Sequence, residues 1–103
     1  MDKLSYIVDV LNEGLYIVEE GDTLNGIASK FNTTKNLIII DNHLTTEAVK
    51  GDYLYIKKYN RIYTVEPSDS LESISRKFNL TKEEILRVNK IKYIYPTQKI
   101  VIE

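Results

Sequence analysis

Hydrophobic residues follow two different spacings along the chain, and the order of these spacings is the same in both halves. Short runs of β-branched and aromatic residues predict strands at residues 15–18, 53–56, 62–65 and 100–102. Between them, apolar residues recur every three or four positions and predict a helix of two to three turns in each half, with an inward side of Leu24, Ile27, Ala28 and Phe31, and of Leu71, Ile74 and Phe78.

A second short helix is predicted in each half, after Thr34 and after Thr81, with Ile85, Leu86 and Val88 as the apolar side of the latter. Residues with acceptor side chains mark the predicted helix starts, and the pairs Asp69/Glu72 and Thr81/Glu84 have the spacing of capping boxes: the predicted caps are Asp22, Thr34, Asp69 and Thr81. Asparagines suit the helix ends, at Asn32, Asn42, Asn79 and Asn89. The predicted order is strand, helix, helix, strand, twice.

The two halves are copies of one repeat. A shift of 47 positions aligns residues 16–42 with residues 63–89 and gives 13 identical pairs among 27. After the shared asparagine the second copy is one residue shorter, which indicates a loop. We therefore predict two units, residues 15–57 and 62–103, joined by a linker of residues 58–61 and preceded by an N-terminal segment of residues 1–14.

The repeat resembles the LysM domain, a βααβ module of forty-odd residues. In the first copy the likeness lies in Tyr16, Val18, Gly21, Asp22, Thr23, Leu24, Ile27, Ala28, Phe31, Asn42, Gly51, Asp52, Leu54 and Ile56. In the second it lies in Tyr63, Val65, Ser68, Asp69, Ser70, Leu71, Ile74, Phe78, Asn89, Ile100 and Ile102. Together the two matches cover residues 15–103.

The resemblance implies an α+β fold of two tandem modules, each with a two-stranded antiparallel sheet and both helices on one face. It also implies a shallow groove that binds glycans containing N-acetylglucosamine, such as peptidoglycan or chitin. The implied groove residues lie before the first helix and after the second: Gly21, Asp22, Thr23, Leu24, Asn42, His43, Leu44, Ser68, Asp69, Ser70, Leu71, Lys90, Ile91, Tyr93 and Ile94. Ser68 and Thr97 replace two glycines of the pattern, so we expect weaker binding by the second copy.

The residue types of the implied groove suit an uncharged sugar chain. Hydroxyl, amide and acetyl groups need backbone donors and acceptors beside apolar and aromatic surface, and no charge. Tyr93 and Tyr95 have two interpretations: an aromatic ring in this loop can pack on a sugar face, or it can cover the sheet or the neighbouring unit. His43 is interpreted as a solvated loop residue rather than a ligand.

Composition and charge exclude several classes of function. Fourteen basic and fifteen acidic residues give a net charge of -1, which disfavours a nucleic-acid partner. Without cysteine, and with one histidine, the chain has no thiolate nucleophile and too few ligands for a metal site, so we expect no metal and no cofactor. No apolar run approaches the roughly 18 residues that span a bilayer.

An enzyme is not expected, because the chain offers no Ser-His, Cys-His or His-carboxylate arrangement. Glycosidases use two carboxyl groups about 5 to 10 Å apart. Asp22 and Asp52 are the candidates for such a pair, but both occupy positions that a helix cap or a turn explains. The chain is therefore predicted to have no catalytic residue.

Residues 1–14 and the place of action leave alternatives open. The apolar residues of this segment fit both a strand and a helix, and either form exposes surface for packing on the first unit or for a homodimer contact. The start lacks the features of a signal peptide, which predicts cytoplasmic synthesis. The resemblance implies action at the cell wall or spore envelope of a bacterium. The alternative function is a protein-binding scaffold in a spore coat or a phage-tail-like particle.

Overall fold

The computed structural model describes residues 13–103, which divide into two compact units, residues 13–59 and residues 60–103. Unit 1 contains β1 (Glu13–Ile17), α1 (Leu24–Lys30), α2 (Lys35–Asp41) and β2 (Tyr53–Lys57). Unit 2 contains β3 (Ile62–Thr64), α3 (Leu71–Phe78), α4 (Lys82–Asn89) and β4 (Lys99–Val101). The predictions for the segment before Glu13, including the homodimer contact, lie outside the described residues.

Each unit has one antiparallel sheet of two strands, as the fold prediction requires. β1 pairs with β2 so that Tyr16 lies opposite Leu54, and β3 pairs with β4 so that Tyr63 lies opposite Ile100. Since successive side chains of a strand point to opposite faces, these residues share the face that meets the helices. The predicted α+β class, with two βααβ units in tandem, is confirmed.

The core of unit 1 lies between this sheet face and its two helices. It consists of buried residues from all four elements and the turns beside them: Tyr16, Val18, Leu24, Ile27, Ala28, Phe31, Ile38, Leu54 and Ile56. The predicted inward side of α1 is confirmed in full. Phe31 contacts Tyr16 edge to face, with the ring centroids 5.2 Å apart.

The core of unit 2 is built in the same way but is smaller. Its buried residues are Val65, Ile74, Ile85, Ile100 and Ile102, and Tyr63, Leu71 and Phe78 are half-buried against them. The prediction that Val88 faces the core is wrong, because 37% of its surface is exposed. The buried residues of α4 are Ile85 and Asn89, which lie one helical turn apart on the side that faces the core.

The predicted caps of the second helices are confirmed, and those of the first helices are corrected by one residue. The Thr34 and Thr81 hydroxyls accept hydrogen bonds from the Leu37 and Glu84 amides.

The caps of α1 and α3 are Thr23 and Ser70, not Asp22 and Asp69. In α3 the capping box pairs Ser70 with Ser73 instead of using Glu72. A hydroxyl one residue nearer the helix reaches its third amide, which releases the aspartates for another contact.

Asparagines close the helices as expected at three of the four positions. Asn32 and Asn79 both have φ of 54°, the left-handed conformation that asparagine tolerates. Asn42 is the C-cap of α2. Asn89 is the last residue of α4 rather than its cap, and Lys90 adopts the left-handed conformation after it, with φ of 55°.

Candidate functional site

The predicted groove residues Asp22 and Asp69 hold the turn between the first strand and the first helix of each unit. The Tyr16 hydroxyl donates to Asp22 Oδ2 at 2.6 Å, and the Glu19 amide donates to the same oxygen at 2.8 Å. Asp69 Oδ2 accepts in the same way from the Tyr63 hydroxyl at 2.5 Å and from an amide of its own turn. Each carboxylate therefore fixes the turn before the first helix, which is the first wall of the predicted groove. The second wall is the loop between the second helix and the last strand.

The hydrogen bond between Tyr63 and Asp69 changes the acidity of both groups. It holds the pKa of the Asp69 carboxyl below its usual range, with a further contribution from the Glu66 amide. The same bond is the main cause that raises the pKa of Tyr63 to about 12. Both shifts favour the neutral phenol bound to an ionised carboxylate, so this wall keeps one protonation state near neutral pH.

The replacement of Gly21 by Ser68 changes the backbone of the first wall without removing its turn. In unit 1 Gly21 has φ of +84° inside a turn closed by the Asp22 amide and the Glu19 carbonyl. The matching turn of unit 2 is also closed, but Ser68 does not adopt positive φ. Pro67 precedes it and favours the type I turn, which needs no glycine.

The turn before the last strand forms part of the second wall, and there unit 2 keeps the backbone of unit 1. Gly51 has φ of +95° and Thr97 has φ of +74°, each donating its amide to the strand end of its unit, at Val18 and Val65. In unit 1 the Asp52 carboxylate accepts from the Val49 amide at 3.0 Å and stabilises the turn. A threonine in the left-handed region is strained, because its branched Cβ crowds the backbone.

Asn42 and Asn89 attach the second helix of each unit to the closing strand. The Asn42 side chain donates to the Ile38 and Tyr55 carbonyls and accepts from the Tyr55 amide at 2.6 Å. Asn89 makes the equivalent three bonds in unit 2, to Ile85 and Val101. The side-chain amide of Asn42, a predicted glycan contact, is therefore already used by the fold.

The other predicted loop residues divide into core contacts and exposed groups. Leu44 packs against the core of unit 1, and Ile91 and Ile94 pack against that of unit 2. His43 is exposed with φ of 53° and Lys90 is exposed. Tyr93 has 71% of its surface exposed and Tyr95 is also exposed, so neither ring is buried against the sheet of its unit.

Sequence reasoning missed one residue of this region, Glu47. Its Oε1 atom accepts a hydrogen bond of 2.6 Å from the Leu24 amide, and so connects the second wall of unit 1 to the start of α1. The sequence shows an acid in the longer of the two loops. It carries no signal that this acid faces the helix, because loop conformation does not follow a hydrophobic period.

The arrangement offers backbone groups and neutral surface rather than reactive groups. Asp22 and Asp52, the two candidates for a carboxylate pair, each accept hydrogen bonds from turn amides. In residues 13–103 no cluster of three or more acidic or histidine side chains is placed to hold a metal ion. Over the same range no helix is long and apolar enough to cross a bilayer.

Two solved structures are similar to this chain over most of its length. They are the spore cortex-lytic enzymes SleL of Bacillus cereus (26% identity, 90% of this chain, 23% of that chain, TM-score 0.44) and Bacillus megaterium (25%, 87%, 22%, 0.44). The chain thus spans less than a quarter of each of these proteins. No curated protein matches it.

The comparison with protein families gives a match in both units. The LysM domain matches residues 16–56 and again residues 63–103, which together are more than half of the chain. The chain therefore belongs to the LysM domain family and carries two modules in tandem.

Proposed function

We propose that this protein binds glycans containing N-acetylglucosamine, of the peptidoglycan or chitin type, through the two loops that lie beside the first helix of each unit. LysM domains are glycan-binding modules, and both units match the family over their whole βααβ repeat. That double match is the observation that carries the proposal. The cell wall or spore envelope is the place of action that fits this ligand.

The chemistry of the two walls supports a neutral ligand. The Asp22 and Asp69 carboxylates and the Asn42 amide are bonded within the fold. The groups that remain for a ligand are turn amides and carbonyls, apolar side chains and the exposed ring of Tyr93. Such groups match the hydroxyl, acetamide and methyl groups of N-acetylated sugars and need no ion pair.

Co-sedimentation with insoluble polysaccharides tests the proposal. The protein should pellet with purified peptidoglycan or chitin and stay in solution with cellulose, which has the same backbone linkage as chitin but no acetamide groups. Binding should change little between low and high salt, because exposed charges contribute little to it. Equal binding to cellulose, or none to either N-acetylated polymer, would contradict the proposal.

We propose further that the protein does not hydrolyse its ligand. Glycoside hydrolysis needs one carboxyl group as acid and another as base or nucleophile. The Asp22 and Asp52 carboxylates accept hydrogen bonds from turn amides, so both already have structural roles in their turns. We expect no release of reducing ends from peptidoglycan or chitin; turnover that Asp22→Asn or Asp52→Asn abolishes would show the opposite.

A protein-binding scaffold is the second candidate, and one observation favours it. Leu15 and Tyr53 lie on the face of the β1–β2 sheet that points away from the helices, and 55% and 66% of their surfaces are exposed. Exposed apolar surface of this kind suits a protein contact. The scaffold would be supported if the full chain bound no glycan but co-purified with a protein partner. The double variant Leu15→Ser/Tyr53→Ser should then lose that partner.

A further inference from the structure

Glu47 and Tyr93 occupy matching positions in the two units. Counted back from the turn residues Gly51 and Thr97, each is the fourth residue before the turn's left-handed position. The next residues match in the structure too, because Ala48 packs against the core of unit 1 and Ile94 against that of unit 2. The extra residue of the unit 1 loop therefore lies before Glu47.

The two matching side chains lie in opposite environments. Glu47 reaches the start of α1 and accepts the Leu24 amide at 2.6 Å. Tyr93 leaves 71% of its surface exposed. Within residues 13–103 no acceptor engages the Leu71 amide, which is the counterpart of the Leu24 amide.

The first residue of the first helix is also more exposed in unit 2 than in unit 1. Leu24 has 1% of its surface exposed, whereas its counterpart Leu71 is half-buried. In unit 1 both the backbone amide and the apolar side chain at the edge of the first helix are covered. In unit 2 no acceptor from the described residues covers the Leu71 amide, the Leu71 side chain is half-buried, and the Tyr93 ring is exposed.

We propose that Glu47 and Tyr93 determine which module engages the glycan, with unit 2 as the primary binding module and unit 1 closed by its own carboxylate. This inference rests on the proposed glycan-binding function. A neutral acetamide carbonyl would have to displace a charge-assisted hydrogen bond at Leu24, which is stronger than the bond that replaces it. At Leu71 the amide is available and Tyr93 supplies a face for the sugar ring.

The inference reverses the order of affinities that the lost glycines suggested. Ser68 and Thr97 preserve the closed turns of unit 2, as the bonds between Asp69 and Glu66 and between Gln98 and Tyr95 show. The turns therefore differ less between the units than the loops do. The side chain at position 47 or 93, rather than the glycine count, sets the difference.

Amide-resolved NMR titrations of the full chain with a soluble chitin oligomer test the inference. In the wild type, shifts should appear around Leu71 and Tyr93 at lower ligand concentration than around Leu24. Glu47→Ala should strengthen binding by unit 1 about tenfold, the factor that corresponds to losing one competing hydrogen bond to a charged group at the low end of its range. Tyr93→Glu should weaken binding by unit 2 by a similar factor, because it removes the ring and adds the competing carboxylate.

A matched control and a ligand-free measurement separate the possible failures. Glu20→Ala removes the same charge from an exposed position of unit 1 and should leave the affinity of unit 1 at the wild-type value. Without ligand, Glu47→Ala should speed hydrogen exchange at the Leu24 amide, since its acceptor is lost.

Each result then supports or overturns a defined part of the account. Unchanged exchange at Leu24, or unit 1 affinity equal in the wild type and Glu47→Ala, overturns the role of Glu47. Preferred binding by unit 1 in the wild type overturns the assignment of unit 2. A third result is faster hydrogen exchange at Leu24 in Glu47→Ala, but no ligand-induced shifts in either unit of the wild type or the variant. That result overturns the proposed glycan function and its regulation by Glu47 together.

Discussion

Gly51 and Thr97 place two different residues in the same backbone conformation, with φ of +95° and +74°. The left-handed conformation destabilises the folded state by about 1 to 2 kcal/mol when the residue has a Cβ. Glycine avoids this cost, but its greater freedom in the unfolded chain lowers stability by about 0.5 to 1 kcal/mol. The left-handed strain is the larger of the two effects. At this turn unit 2 therefore carries a strain that unit 1 avoids.

Reciprocal substitutions measure this strain. Thr97→Gly should raise the free energy of unfolding by about 0.5 to 1 kcal/mol, and Gly51→Thr should lower it by about 1 kcal/mol or more. No heavy atom lies within 4 Å of a Cβ built at Gly51, so a loss there would come from the backbone and not from a steric clash. Urea denaturation of both variants checks this; a destabilising Thr97→Gly would show that the threonine side chain makes a contact worth more than the strain.

The bonded pair of Tyr63 and Asp69 gives unit 2 a defined pH dependence. The lowered pKa of Asp69 adds stability that is present above the unfolded value, about 3.9, and is lost as the pH falls through the folded pKa. The raised pKa of Tyr63 adds stability that is present below about pH 10 and is lost as the pH rises towards 12. Between these limits the pair contributes a constant stability.

Tyr63→Phe should flatten both flanks of this profile. The free energy of unfolding of the variant should fall less steeply than that of the wild type below about pH 4 and above about pH 10. Tyr95→Phe is the matched control, because Tyr95 is an exposed tyrosine of the same unit. Urea denaturation across the pH range checks the slopes, and identical slopes for wild type and Tyr63→Phe would rule out the coupling.

Among the elements, the first strand and the first helix of each unit are held together by one recurring set of aromatic and charged side chains. In unit 1 the Lys30 ammonium lies 5.2 Å from the centre of the Tyr16 ring, which also packs against Phe31. In unit 2 Lys77 lies 4.8 Å from the Tyr63 ring, which packs against Phe78 at 5.0 Å. Cation–π contacts of this kind add modestly to the packing of the rings.

The two phenylalanines should differ in their contribution to stability, because Phe31 is buried and Phe78 is half-buried. Phe31→Ala should lower the free energy of unfolding by about 3 to 5 kcal/mol, and Phe78→Ala by less, since part of its surface already meets water. Urea denaturation measures both values. Equal losses would indicate that the exposure of Phe78 is smaller in solution, and no loss from Phe31→Ala would contradict the inward side of α1.

For the whole molecule, the sequence predicted the fold well because the repeated residues are those that build it. The residues that are identical in the two copies include those that make the main contacts of each unit. In unit 1 these contacts are the bond of Tyr16 to Asp22, the packing of Tyr16 on Phe31 and the bonds of Asn42 to the closing strand. Each of these contacts joins positions with a fixed spacing in both copies. Periodicity and repetition therefore located the strands, helices and cores to within one or two residues.

The candidate site was less predictable, since it lies where the copies diverge. The loop after the second helix differs in length between the units, and neither Glu47 nor Tyr93 follows a hydrophobic period. An acceptor before a helix usually caps it, so the sequence predicts Asp22 and Asp69 to be helix caps. A hydroxyl directly after each aspartate caps the helix instead, and only the three-dimensional arrangement shows the tyrosine that binds the carboxylate.

The most direct test of glycan binding is an amide-resolved NMR titration of the full chain with soluble chitin oligomers and muropeptides at low and high salt. Shifts should cluster at residues 68–71 and 90–94, and at higher concentration at residues 21–24 and 42–44, with little dependence on salt. No shifts at millimolar ligand, or shifts confined to the sheet face of Leu15 and Tyr53, would contradict the account.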